Sequence, residues 1–119
     1  MIAIFLGLWR RKEPITINGD GTAQRDYVYV SDICDAVVAA LESGATGVYN
    51  IGTGVATSVN EIVEAMSAVL GPPAGIRHAP RNESEIQRSC LDISKARRDG
   101  LWRPRTDLRE GIEKTARLA

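Results

Sequence analysis

Short β-branched or apolar runs alternate along this chain with stretches of helical periodicity, and a glycine or proline turn stands between most of them. That punctuation is the strongest constraint on the fold. The short runs are too brief for self-supporting helices and have to pair as strands, while the stretches between them suit helices packed against those strands. The order predicts an α/β architecture of short strands alternating with helices, in a single domain spanning residues 1–119.

Residues 1–12 predict an amphipathic helix stopped by Pro14, and Ile15-Thr16-Ile17 a β-branched strand. Asn18–Gly21 is a turn, its paired glycines permitting positive φ. A strand is expected over Arg25–Val30, with Arg25, Tyr27 and Tyr29 on one face and Asp26, Val28 and Val30 on the other. Asp32 is placed to cap the next helix, whose Ile33, Val37 and Leu41 repeat along one side. Val48–Ile51 predicts a strand between the turns at Gly44–Gly47 and Gly52-Thr53-Gly54. Ser58-Val59-Asn60-Glu61 has the form of a capping box, and Ile62, Val63, Met66 and Val69 continue as an apolar stripe to Gly71-Pro72-Pro73. Ile76–Ala79 reads as a strand, residues 81–85 as a polar loop and 86–91 as extended chain. Asp92 is positioned to cap a short helix ending at Arg98, and residues 108–118 form a closing helix.

Fifteen basic residues balance fifteen acidic ones, so no global field favours nucleic acid or an anionic membrane, and an anion has to be met by a local site. The apolar opening has no basic stretch before it and no small-residue cleavage site after it, and it is too short to span a bilayer. Cys34 and Cys90 have no CxxC spacing; they predict buried, reduced thiols in a cytoplasmic protein. One histidine, His78, leaves zinc without a ligand set.

VYNIGTGVATSVNEI has the strand, Gly-x-Gly and helix order of a dinucleotide fingerprint, in which a pyrophosphate rests on the helix N-terminus. Thr57 stands where the third glycine belongs, and no acid follows about 20 residues on to hold a ribose. The turn is expected to be structural. Arg25 raises a sharper question, because a guanidinium at the head of a strand must face a carboxylate, a phosphate or water. The residue pattern leaves a structural ion pair and a phosphate ligand equally open. Arg81-Asn82-Glu83-Ser84-Glu85 forms a second polar cluster, whose plainer interpretation is a solvated loop.

Taken together, PITINGDGTAQRDYVYVSDICDAVVAAL, GVYNIGTGVATSVNEI, the Ser-x-x-Asp-x-x-Lys-Ala of residues 89–96 and the Leu-Trp-x-Pro of 101–104 resemble a known family. It is that of the NAD-dependent nucleotide-sugar epimerases and dehydratases, the extended short-chain dehydrogenases/reductases, and above all its UDP-glucose and UDP-glucuronate 4-epimerases. The resemblance runs from about Ile2 to the end, in order, and corresponds to the C-terminal portion of that Rossmann-type fold. It implies that Arg25 contacts the pyrophosphate of a UDP-sugar and that the strand holding Thr16 and Asn18 meets the uracil. It also implies a second pyrophosphate arginine in an Arg-x-Gly-Glu loop. Counting back from Asp92 puts Glu85 on the acid, Ser84 on the glycine and Asn82 on the arginine, with Arg81 one residue early.

Family members carry, upstream of these motifs, an NAD-binding glycine turn and a catalytic Tyr-x-x-x-Lys. Four residues after Tyr27, Tyr29 and Tyr49 stand Ser31, Ile33 and Thr53, so the pattern does not occur in this sequence. The expectation is a UDP-sugar-binding portion without catalytic or cofactor-binding residues of its own, inactive alone, NAD belonging to the complete enzyme. Faces that would pack on the Rossmann half would then be open. Self-association, or pairing with a complementary Rossmann half, is expected to cover the Ile2–Trp9 helix and the edges of the Val48–Ile51 strand. The alternative is a non-catalytic remnant that persists as a small self-associating domain.

Overall fold

The computed structural model describes residues 1–118. Its elements are α1 (Ile2–Arg10), β1 (Ile15–Asn18), β2 (Gln24–Asp26), α2 (Val30–Ser43), β3 (Ala56–Ser58), α3 (Val59–Leu70), β4 (Ile76–Ala79), α4 (Ser94–Arg98) and α5 (Leu108–Leu118). The architecture is α/β, as the alternation of runs requires.

β1 and β4 pair in parallel, Ile15 opposite Ile76 and Asn18 opposite Ala79. The pleat of β1 turns Ile15 and Ile17 inward and leaves Thr16 and Asn18 exposed. Behind the inward face lies the main core: Phe5, Leu6 and Trp9 of α1, Ile62, Val63 and Met66 of α3, and Ile112 of α5. α3 begins where the sequence places it. The Ser58 side chain accepts from the Glu61 amide at 3.2 Å, while the Glu61 carboxylate accepts from the Ser58 amide at 2.7 Å. The Trp9 indole donates to the Gly71 carbonyl at 3.1 Å and ties the end of α1 to the end of α3.

A smaller core gathers Ala36 of α2, Ile93, Ala96 of α4, Leu101 and Trp102, with Tyr49 and Ile51 packed on it. β2 pairs antiparallel with β3, Arg25 opposite Thr57, and a parallel bridge from Gln24 to Arg88 lays residues 87–89 along its other side.

Several expectations are corrected. The strand at Arg25 ends at Asp26, because only these residues meet β3; Tyr29 is already the N-cap of α2, so Arg25, Tyr27 and Tyr29 do not share a strand face. Asp32 lies inside the first turn of α2 and caps nothing in its own helix. Its carboxylate instead accepts from the Arg105 amide (2.8 Å), the Thr106 amide (2.9 Å) and the Thr106 hydroxyl (2.8 Å). α2 consequently turns Asp32 and Ala36 inward, leaves Ile33 half-buried and puts Val37 and Leu41 in solvent, so the core face is rotated by one residue from the expected one. Cys34, on the outer side, is exposed rather than buried.

β3 was not foreseen, since it runs straight into the helix cap. Residues 48–51 do not form a strand, because among the described residues no backbone segment pairs with them. They are held by side chains. Lys95 Nζ donates to the Val48 carbonyl at 2.8 Å, Asn50 Nδ2 to the Asp92 carbonyl at 3.1 Å, and the Trp102 indole to the Gly52 carbonyl at 2.6 Å. Asp92 lies just outside α4, whose N-cap is Ile93, and its carboxylate accepts from the Ser94 amide at 2.9 Å. Among the described residues, no helix is long and apolar enough to cross a membrane.

Candidate functional site

Arg25 sits at the centre of three adjacent extended segments, between β3 and residues 87–89. Gln24 fastens the third segment: its amide donates to the Gln87 carbonyl, its carbonyl accepts from the Ser89 amide, and its side-chain oxygen accepts from Arg88 Nε at 3.2 Å. This docking carries Glu85 to Arg25. Arg25 Nη2 lies 3.5 Å from Glu85 Oε1, both side chains are about one-third exposed, and Nη1 donates to the Gln24 carbonyl at 2.7 Å. A part-exposed pair of this kind contributes about 1 kcal/mol or less, so a stronger anion can replace the carboxylate.

Beside this pair a cavity of about 320 Å³ opens between α1, β1 and the start of α3. Thr16, Asn18 and Glu85 line it, with Phe5 and Val59 among its apolar walls. Apolar walls with a few polar groups at one end suit a flat ring carrying a polar tail. A larger cleft of about 440 Å³, between α2 and residues 100–105, is lined by none of the six residues singled out in the sequence.

The other two polar residues point elsewhere. The stem of Arg81 packs over Gly19, 3.3 Å from where a β-carbon would stand, and its charge reaches Asp20. Asn82 Oδ1 accepts from the Ser84 amide at 3.2 Å and the Ser84 hydroxyl at 2.6 Å, so that side chain folds its own loop. Tyr27 is close enough to feel both Arg25 and Glu85. Burial pushes its phenol above the ordinary value against the opposing pull of Arg25, so it stays neutral and offers no base.

The Gly52-Thr53-Gly54 turn is already filled. Asp26 Oδ1 accepts from the Thr53 amide (2.8 Å) and hydroxyl (2.5 Å), and Oδ2 from the Gly54 amide (2.9 Å) and, at 3.4 Å, the Leu91 amide. A β-carbon on Gly52 would lie 2.7 Å from Asp26 Oδ2. Burial raises the Asp26 carboxyl, but the bonds from Thr53, Gly54 and Leu91 outweigh it and hold the group below its ordinary value. These residues do not fit the pyrophosphate of a dinucleotide, because their donors serve an internal carboxylate. Sequence reasoning missed Asp26. The signal was an acid adjoining Arg25 on the opposite face, together with a glycine turn whose amides needed an anion. No group of three or more His, Cys, Asp or Glu residues able to hold a metal occurs among the described residues.

The sequence model of the GDP-mannose 4,6 dehydratase family matches residues 4–115. The chain is 38% identical over 116 residues to a UDP-glucose 4-epimerase of Mycolicibacterium smegmatis, covering 97% of this chain and 37% of that protein. It superposes on the UDP-glucose 4-epimerase of Thermotoga maritima, solved with UDP-glucose, with a TM-score of 0.90 and 37% identity, over 98% of this chain and 38% of that one. The UDP-glucuronic acid 4-epimerase of Bacillus cereus, solved with UDP-glucuronic acid and NAD, gives 0.87 and 29%, over 98% and 38%. The chain thus spans well under half the length of these relatives. It belongs to the family of NAD-dependent nucleotide-sugar epimerases and dehydratases of the short-chain dehydrogenase/reductase type.

Proposed function

We propose that this chain is the nucleotide-sugar-binding portion of a UDP-sugar epimerase or dehydratase. Arg25 takes the diphosphate, and the cavity beside Thr16, Asn18 and Glu85 takes the uridine end. The observation that carries the reading is the meeting of Thr16, Asn18 and Glu85 in one cavity, with the Arg25 guanidinium 3.5 Å from the Glu85 carboxylate. A diphosphate presents acceptors that match the guanidinium fork in a bidentate way, which one Glu85 oxygen at 3.5 Å does not. Arg81 and Asn82 are peripheral contributors, Arg81 by swinging from Gly19 toward the phosphate. Proton and hydride transfer are assigned to residues and NAD outside this sequence, which has no tyrosine followed four residues later by lysine. The chain alone is inactive, acts in the cytoplasm, and meets either a complementary Rossmann half or a second copy of itself.

Thermal denaturation with UDP, UDP-glucose, UDP-glucuronate, TDP-glucose and NAD tests this. UDP and UDP-sugars at a hundredfold excess over Kd should stabilise by about 2.7 kcal/mol, NAD should not, and Arg25→Ala should abolish the gain. Equal shifts with and without Arg25 would refute the assignment.

A second reading, a non-catalytic remnant that persists by self-association, is favoured by Asn82, which stands at the family's arginine position with its side-chain oxygen engaged by Ser84. It predicts no response to any UDP compound.

A further inference from the structure

β2 is only three residues long, and its pleat sends Arg25 and Asp26 to opposite faces. On one side it meets β3 over three residue pairs, and on the other only Gln24 is fastened to residues 87–89. Its Asp26 end is therefore held by neither as firmly as its Gln24 end, yet the guanidinium has to stand at a fixed point beside the cavity. What fixes the end of the strand is the carboxylate next door. Asp26 gathers the amides of Thr53, Gly54 and Leu91 and the Thr53 hydroxyl, so that β2, the 52–54 turn and the segment leading back to Glu85 all converge on one side chain. The turn is shaped around it, since any side chain at Gly52 would collide with Asp26 Oδ2 and Leu91 Cδ1. Loss of this anchor leaves Arg25 a residue from the frayed end of a short strand.

We infer that Asp26 is a positioning residue for Arg25: its carboxylate, set in the Gly52-Thr53-Gly54 turn, holds β2 in the place where the guanidinium meets both Glu85 and a diphosphate. The inference rests on the proposed role of Arg25. It differs from a merely structural role in one measurable way. Misplacing Arg25 weakens only the diphosphate part of a ligand, whereas general loosening of the site weakens the nucleoside part as well.

The test is a double-mutant cycle on the full chain, with UDP affinity measured by calorimetry and uridine affinity by NMR titration. Asp26→Asn keeps the shape but presents an amide N–H₂ where an amide donor needs an acceptor. It should weaken UDP at least tenfold and uridine less than twofold, and in an Arg25→Ala background it should have almost no further effect on UDP. Equal losses for UDP and uridine, or a full further loss in that background, would overturn the inference. If Asp26→Asn does not fold, Thr53→Val, which removes only one donor to Asp26, replaces it in the cycle. The same selective loss for UDP, smaller in size, supports the inference; no selectivity overturns it. A wild-type chain that binds no UDP defeats the proposed function and this inference together. If Arg25→Ala weakens UDP but the cycle shows no coupling, only the inference falls.

Discussion

Asp32 is 2% exposed, and its three donors come from more than seventy residues away. Burial pushes its carboxyl up, but the Thr106 and Arg105 amides and the Thr106 hydroxyl outweigh this and hold it below the ordinary value. Asp32→Ala would leave those donors buried and unpaired, at a cost of about 2–4 kcal/mol, read as a lower urea midpoint at pH 7. The pH dependence has a definite sign. A carboxyl whose folded pKa lies below the unfolded value of about 3.9 stabilises the fold above that pH, and the contribution fades as pH falls through the folded value. Asp26 acts in the same direction. Wild-type stability should therefore drop below about pH 4, and Asp32→Asn should flatten that drop. An unchanged profile would show that the carboxylate contributes nothing. Residues were legible in the sequence where their partners are local. Ser58 and Glu61, three positions apart, announce their bonds, while Asp32 resembles a cap in sequence because nothing local announces Thr106. Arg25 announced a need for an anion without naming Glu85.

α3 was legible as a whole element, since a capping box, a stripe at helical spacing and a Gly-Pro-Pro stop agree with one another. Ser58→Ala removes the acceptor for the Glu61 amide and should cost about 1 kcal/mol, measurable as a lower thermal midpoint that Ser58→Thr restores. α2 shows the limit of periodicity. Its sequence carries apolar residues on more than one side, and the choice of inward face went to Asp32 and Ala36 because the 101–106 segment packs there. β3 was invisible because three residues cannot display alternation. The 48–51 run predicts a strand and does not form one. Whether it becomes a strand depends on a neighbour, which propensity cannot supply.

The molecule is a slab of 48 × 34 × 16 Å, with a radius of gyration of 16.2 Å. A compact domain of this length would have about 13.5 Å. Such a plate leaves broad faces in solvent, and the outer side of α2 shows it: Val30, Val37, Val38 and Leu41 are all more than half exposed, Leu41 at 77%, and Val48 stands at 83%. The proposed self-association therefore runs through α2 and residues 48–51. Of the expected Ile2–Trp9 helix, Phe5, Leu6 and Trp9 are already in the main core, which leaves Ile4, 66% exposed, as its contribution. Light scattering at micromolar concentration should find a dimer or larger species, and Val37→Lys with Leu41→Lys should shift it to monomer with the helix content intact. A sharp wild-type monomer would refute this.

The pinned segment at 48–52 has one more consequence. Lys95, Asn50 and Trp102 hold that backbone in place, so a partner lying along it should form hydrogen bonds with less prior ordering of a loose loop. Rapid zippering with a proper mate is one result. The other is a hazard: at high concentration the exposed 48–51 run should pair with copies of itself, seen as fibrillar growth that Val48→Lys blocks.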